Sequence, residues 1–140
     1  MKIAFDLQKQ LGAFSLNVRG EFEDSITGVF GKSGSGKTTL LHCLAGFLTP
    51  DGGEIRVEDE VIFSSAKNIN CPIEKRNIAI VLQDGLLFPH LTVRQNIVYG
   101  LPKKTAPKRF KEAVEALDLY QVAERKIGGL SGGEKQRVAL

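Results

Sequence analysis

The chain has 140 residues, 42% of them hydrophobic and 25% charged, which is the composition of one ordinary globular domain and excludes a disordered or fibrous chain. Its 19 basic and 16 acidic residues are interspersed and leave a net charge of +3, so no basic face is prepared for nucleic acid. No apolar run approaches the roughly 18 to 20 residues that cross a bilayer, and the N-terminus lacks the basic-then-apolar layout of a signal peptide, so a cytoplasmic chain is expected.

Ile3 to Leu7 and Phe14 to Val18 read as early strands, and Ile26 to Phe30 as a third that ends in glycine. From Thr38, the spacing of Leu40, Leu41, Leu44, Ala45 and Leu48 predicts a helix, which Gly46 and Pro50 should stop. Pro50-Asp51-Gly52-Gly53 is a turn signal. Ile55 and Val57, then Val61 and Phe63, alternate as a short antiparallel hairpin expected at the periphery. Asn77 to Leu82 is apolar without alternation, as a strand covered on both faces of a parallel sheet would be.

Further on, Thr92 and Gln95 have capping-box spacing, and Phe110, Val114 and Leu117 form an apolar helical stripe with Lys108, Lys111 and Glu115 outside it. The basic pairs Lys103-Lys104 and Lys108-Arg109 fall short of the roughly 4 to 8 residue cluster that marks a lipid-binding segment. Cys43 and Cys71 lack the spacing of a CxxC site and read as reduced structural thiols. His42 and His90 read as a helix residue and a loop residue, without metal-ligand spacing.

Gly31-Lys32-Ser33-Gly34-Ser35-Gly36-Lys37-Thr38 satisfies GxxxxGK[ST] between a predicted strand and a predicted helix. Glycines let backbone N–H groups turn inward around phosphate oxygens, and the helix start points its positive end at the same anion. Lys37 brings a mobile charge for the β- and γ-phosphates, Thr38 a hydroxyl for Mg²⁺, and Thr39 is placed for the α-phosphate. ATP with Mg²⁺ is the expected ligand. An apolar strand followed by Asp84 also suits the magnesium site of a small GTPase or kinase, but no NKxD-type guanine-reading motif is present.

Leu130-Ser131-Gly132-Gly133-Glu134-Lys135-Gln136-Arg137 resembles the LSGGQ signature of ABC ATPases. Its Ser131 and Glu134 have capping-box spacing, and Gly132-Gly133 leaves N–H groups uncovered at a helix start, a second anion site. Across nearly the whole chain the likeness is to the ATP-binding subunits of molybdate importers, through Leu11-Gly12-Ala13-Phe14, Pro72 to Arg76, Gln83-Asp84 with Leu87-Phe88-Pro89-His90, and Leu130 to Ala139.

That resemblance implies an α/β P-loop NTPase of ABC type, a mixed sheet with an antiparallel β subdomain and a helical subdomain. It implies a catalytic core over about 1–87, a helical subdomain over about 88–130 and the signature over 130–140. It makes Gln83 the Q-loop glutamine that senses Mg²⁺ and the attacking water, and Phe14 a candidate for stacking on adenine, although Phe14 reads in preference as a core strand residue. Two such domains would meet head to tail as a homodimer, so that Ser131, Gly132, Gly133 and Glu134 of one close over the phosphate loop of the other. Integral membrane permease subunits would bind the dimer at the cytoplasmic face of the membrane, with a solute-binding protein acting indirectly and no nucleic acid involved. In the family the Walker B Asp, the catalytic Glu and the switch His follow the signature, so this stretch alone is expected to be truncated, weak in binding, poorly soluble and inactive in hydrolysis. The alternatives are a soluble ABC-type ATPase acting outside transport, or a non-catalytic remnant.

Overall fold

The computed structural model describes residues 1–82 and 85–140 and divides into two units, Met1–Ile80 and Val81–Leu140. In the first, the alternation of Ile3, Phe5 and Leu7 with Ala4, Asp6 and Gln8 builds strand β1 (Ile3–Leu11). A two-residue turn at Gly12-Ala13 returns the chain as β2 (Phe14–Phe22), with Phe5 opposite Gly20 and Leu7 opposite Val18. The helix α1 (Lys37–Ala45) follows the glycine loop, and Gly46 in the left-handed region ends it as expected. Strands β3 (Gly52–Val57), β4 (Glu60–Ser64) and the short β5 (Ile69–Asn70) complete an antiparallel sheet of order β2-β1-β3-β4-β5.

The predicted hairpin is therefore not peripheral. β3 pairs with β1 over Ile3–Gln8, which places it in the middle of the sheet. Asp51 fastens this arrangement: its carboxylate accepts from the Gln10 amide and the Lys9 ammonium, each at 2.7 Å, just before β3 begins. One sheet face closes on α1, where Ile3, Phe5, Leu7, Leu16, Ile55, Ile62 and Phe63 pack with Leu40, Cys43 and Leu44. The rings of Phe5 and Phe22 meet edge to face at 5.1 Å.

Ile26 to Phe30 and Asn77 to Leu82, expected as strands, are extended chain without a ladder. A strand is stabilised by hydrogen bonds to a neighbour, and among the described residues neither segment has one. Ile26 and Phe30 are accordingly almost fully exposed, at 104% and 94%. The antiparallel and helical parts of the expected architecture are present; the parallel pairing is not formed between described residues.

The second unit is helical: α2 (Val93–Ile97), α3 (Ala106–Leu117) and α4 (Gly132–Ala139). The stripe predicted on α3 is real, with Phe110 and Val114 buried against Val93, Leu119, Val122, Ile127, Leu130 and Val138. Thr92 caps α2 in the predicted capping box, accepting from the Gln95 amide while the Gln95 side chain accepts from the Thr92 amide. Arg94 lies 3.8 Å over the Phe110 ring and pairs with Glu124 at 2.6 Å, joining α2 to α3 and to the turn after it. Cys43 and Cys71 are free thiols, and burial pushes the Cys43 thiol above its ordinary range. No helix among the described residues is long and apolar enough to cross a membrane.

Candidate functional site

The residues Gly31 to Thr39 form a loop that runs into the first turn of α1. Gly36 is the N-cap at φ +92°, and no side chain caps the helix there. Since Leu40 makes the first intrahelical bond, to the Gly36 carbonyl at 2.8 Å, the amides of Lys37, Thr38 and Thr39 have no intrahelical partner. An uncapped helix start with three free donors and the positive end of the dipole is an anion cradle. Gly36 is required for space as well as conformation: a Cβ there would lie 2.8 Å from the Phe14 ring and 2.9 Å from Leu16.

Lys37 folds back over the loop and donates to the carbonyls of Gly31 and Lys32, both at 2.8 Å. Ser35 donates its amide to the Lys32 carbonyl at 3.2 Å, which tightens the same turn. The result is a cavity of about 250 Å³ bounded by Ser33, Gly34, Gly36, Lys37, Thr38, Thr39 and Phe14. Phe14 thus has two neighbourhoods: it is half-buried against the sheet core and also edges the loop cavity. The Thr38 side chain is exposed, free to offer its hydroxyl to a hydrated cation. Uncovered amides, an ammonium already drawn to oxygen and a hydroxyl suit a magnesium-bound phosphate chain. Gln83 and Asp84 lie outside the described residues.

A second helix start stands in the other unit. Ser131 is the N-cap of α4; its hydroxyl accepts from the Glu134 amide at 3.3 Å while the Glu134 carboxylate accepts from the Ser131 amide at 2.7 Å. Ser131, through its side chain first and its amide second, holds the Glu134 carboxyl below the usual carboxylate range. A hydroxyl that accepts still has its own proton to donate. Gly132 and Gly133 are exposed, with open space where a side chain would be, and as first-turn residues of α4 their amides have no intrahelical partner. Leu130 and Val138, both buried, hold the two ends of this segment in the helical core.

Two positioning residues carried no sequence signal for their contacts. Asn96 closes the loop before α2, accepting from the Phe88 amide at 2.8 Å and donating to the carbonyls of Phe88 and Thr92 at 3.2 and 2.9 Å. Arg76 is 2% exposed and reaches the far end of α1, 32 and 33 residues away in sequence.

The uncapped glycine-loop helix start and the capped Ser-Gly-Gly helix start are two separate motifs, one in each unit, of the kind an ABC-type P-loop NTPase carries. The family model described as ABC transporter matches residues 15–140, and the chain belongs to this family. It is similar to the molybdenum import ATP-binding protein ModC of Rhodospirillum rubrum, with 43% identity over 138 residues covering 96% of this chain and 37% of the relative. ModC of Aliivibrio fischeri is 41% identical over 139 residues, covering 99% and 38%. The chain therefore spans under two-fifths of the length of these relatives. Among solved structures, cbiO1 of Clostridium perfringens, part of the ABC transporter complex cbiONQ, aligns at TM-score 0.74 and 27% identity, covering 98% of this chain and 58% of that one. A dimeric ATP-binding cassette in a post-hydrolysis state bound to ADP and Pi aligns at TM-score 0.74 and 24% identity, covering 99% and 67%, and shows the same fold.

Proposed function

We propose that this chain binds MgATP in the Gly31 to Thr39 cradle and serves as the energy-coupling ATPase part of an importer for a small solute, an oxyanion such as molybdate. The observation that carries the reading is the uncapped start of α1 beside a lysine that already holds two loop carbonyls. On nucleotide binding the amides of Lys37 to Thr39 donate to phosphate oxygens, and Lys37 exchanges carbonyls for the β- and γ-phosphates. Thr38 and Gln83 would hold Mg²⁺, which neutralises charge on the phosphate chain during transfer.

In this reading the region 1–87 is the nucleotide core, 88–130 the helical part and 130–140 the signature. Ser131, Gly132, Gly133 and Glu134 belong to the site of a second copy in a head-to-tail dimer, where free glycine amides and the Ser131 proton meet the terminal phosphate. The hydrolytic step is not assigned to a residue of this chain. The similarity to proteins named for molybdenum import supports the oxyanion assignment, and that role would place a permease partner at the cytoplasmic membrane face.

Calorimetric titration with MgATP tests the first half: binding that adenosine does not reproduce is expected, and equal heats for both ligands would refute it. Reconstitution of the complete subunit with its permease tests the second. ATP turnover stimulated by molybdate is expected, and stimulation by a different solute alone would reassign the substrate.

A further inference from the structure

Arg76 is a buried cation whose partners are neutral. Its Nε donates to the Cys71 carbonyl at 2.9 Å, one terminal nitrogen to the carbonyls of Cys43 and Leu44 at 2.9 and 3.0 Å, and the other to the Asn70 side-chain oxygen at 2.9 Å. No carboxylate is paired with it among the described residues, and burial is the main influence lowering its affinity for the proton. What offsets the buried charge is the negative end of α1, where the Leu44 carbonyl has no helical partner and the Cys43 carbonyl shares the Gly46 amide with that of His42. Gly46 makes the approach possible: it holds φ +90°, and a Cβ there would stand 2.8 Å from Arg76 Nε.

The other two contacts belong to β5 and the residue after it, and β5 pairs with β4 of the sheet. Arg76 is therefore a mount that ties the rear of α1 to the sheet. The helix has nine residues, about 13 Å, so its front turn is rigidly connected to that mount.

We propose that Arg76 is a positioning residue for the phosphate loop: by gripping the last carbonyls of α1 it sets the axial position and tilt at which Lys37 to Thr39 meet phosphate. The functional consequence rests on the nucleotide reading above, whereas the mechanical claim does not. A simple helix cap would steady only the end it touches. A mount should be felt at the opposite end of the helix.

The test compares the 140-residue chain with Arg76→Met and with Arg76→Lys, which keeps the charge but loses the planar fork. Amide hydrogen exchange is measured without nucleotide, with the amides of the β1–β2 pair as internal reference. In Arg76→Met, exchange should quicken about tenfold, the factor for about 1.4 kcal/mol, at Gly46 and Leu48, which bond to His42, and also at Leu40 in the first turn. Arg76→Lys should fall between, and it carries the test if the methionine variant fails to fold. MgATP affinity should drop in the same order with adenosine affinity unchanged. Faster exchange at Gly46 and Leu48 with Leu40 unchanged would overturn the proposal, reducing Arg76 to a cap. Absence of MgATP binding in the unsubstituted chain would instead defeat the nucleotide reading, leaving exchange to decide the role of Arg76.

Discussion

Replacing Lys37 by methionine keeps an unbranched stem of good helix propensity and removes only the ammonium. In the structure that ammonium holds the carbonyls of Gly31 and Lys32 at 2.8 Å each. Both acceptor residues are exposed, so the two bonds together contribute only about 1 to 2 kcal/mol, less than buried charged hydrogen bonds would. A phosphate charge about 4 Å from the ammonium attracts it by about 4 kcal/mol at an effective dielectric of 20. Giving up the carbonyls to reach phosphate leaves about 2 to 3 kcal/mol, a loss of roughly 30- to 150-fold in MgATP affinity for Lys37→Met. Calorimetry with MgATP, with adenosine as control and thermal melting in parallel, reads this directly. Adenosine affinity should barely change, and melting should fall only by the several degrees that about 1 to 2 kcal/mol of lost loop bonds implies. MgATP affinity within about threefold of the original would show that the lysine is a loop tie and no phosphate ligand.

Phe14→Leu separates the two neighbourhoods of that ring. Unfolding stability should fall by less than about 1.5 kcal/mol for a near volume-conserving swap, while ATP affinity falls about fivefold or more if base stacking is worth about 1 kcal/mol; tripolyphosphate affinity should not change, and equal losses for both ligands would mean a packing role alone. Ser131→Ala removes the N-cap of α4 and should lower the stability of the helical unit by about 1 kcal/mol, read by denaturant titration; an unchanged midpoint would show that Glu134 alone secures the helix start. The amide of Gln10 first, then Lys9, holds the Asp51 carboxyl below its ordinary range. The fastening of β1 to the start of β3 is therefore fully present above about pH 4, the unfolded value, and is lost as pH falls through the lower folded value. Asp51→Asn should flatten that acid-side slope, and an unaltered pH profile would exclude the link.

The features legible in the sequence were those decided within one or two turns of chain. The glycine loop leading into a helix, the Gly46 stop, and the Thr92–Gln95 and Ser131–Glu134 boxes each need only residues a few positions apart. The features that escaped depend on distant partners. Asn77 to Leu82 has the composition of a buried strand, but a ladder needs a neighbour, and composition does not supply one. The hairpin at Ile55 and Phe63 was legible as a hairpin, yet its place beside β1 is set by pairing across some fifty residues, such as Phe5 with Ile55. Arg76 follows the same rule: nothing near it in the chain announces that two of its four acceptors lie on α1.

These two scales meet at the phosphate loop. Its chemistry is local, written in consecutive glycines and one lysine, but its geometry is inherited from α1, which is held at the back by Arg76 and along its side by Leu40 and Leu44 in the sheet core. A loop of this kind without its mount would keep every donor and lose their convergence. Phosphate recognition depends on several amides pointing at one anion, so the energetic cost of a small helix tilt falls on all of them together. That is why a residue with no access to the cavity belongs with the loop in any account of how the cradle works, and why substitutions at Gly46, which would push Arg76 from its carbonyls, should weaken nucleotide binding from the far end of the helix.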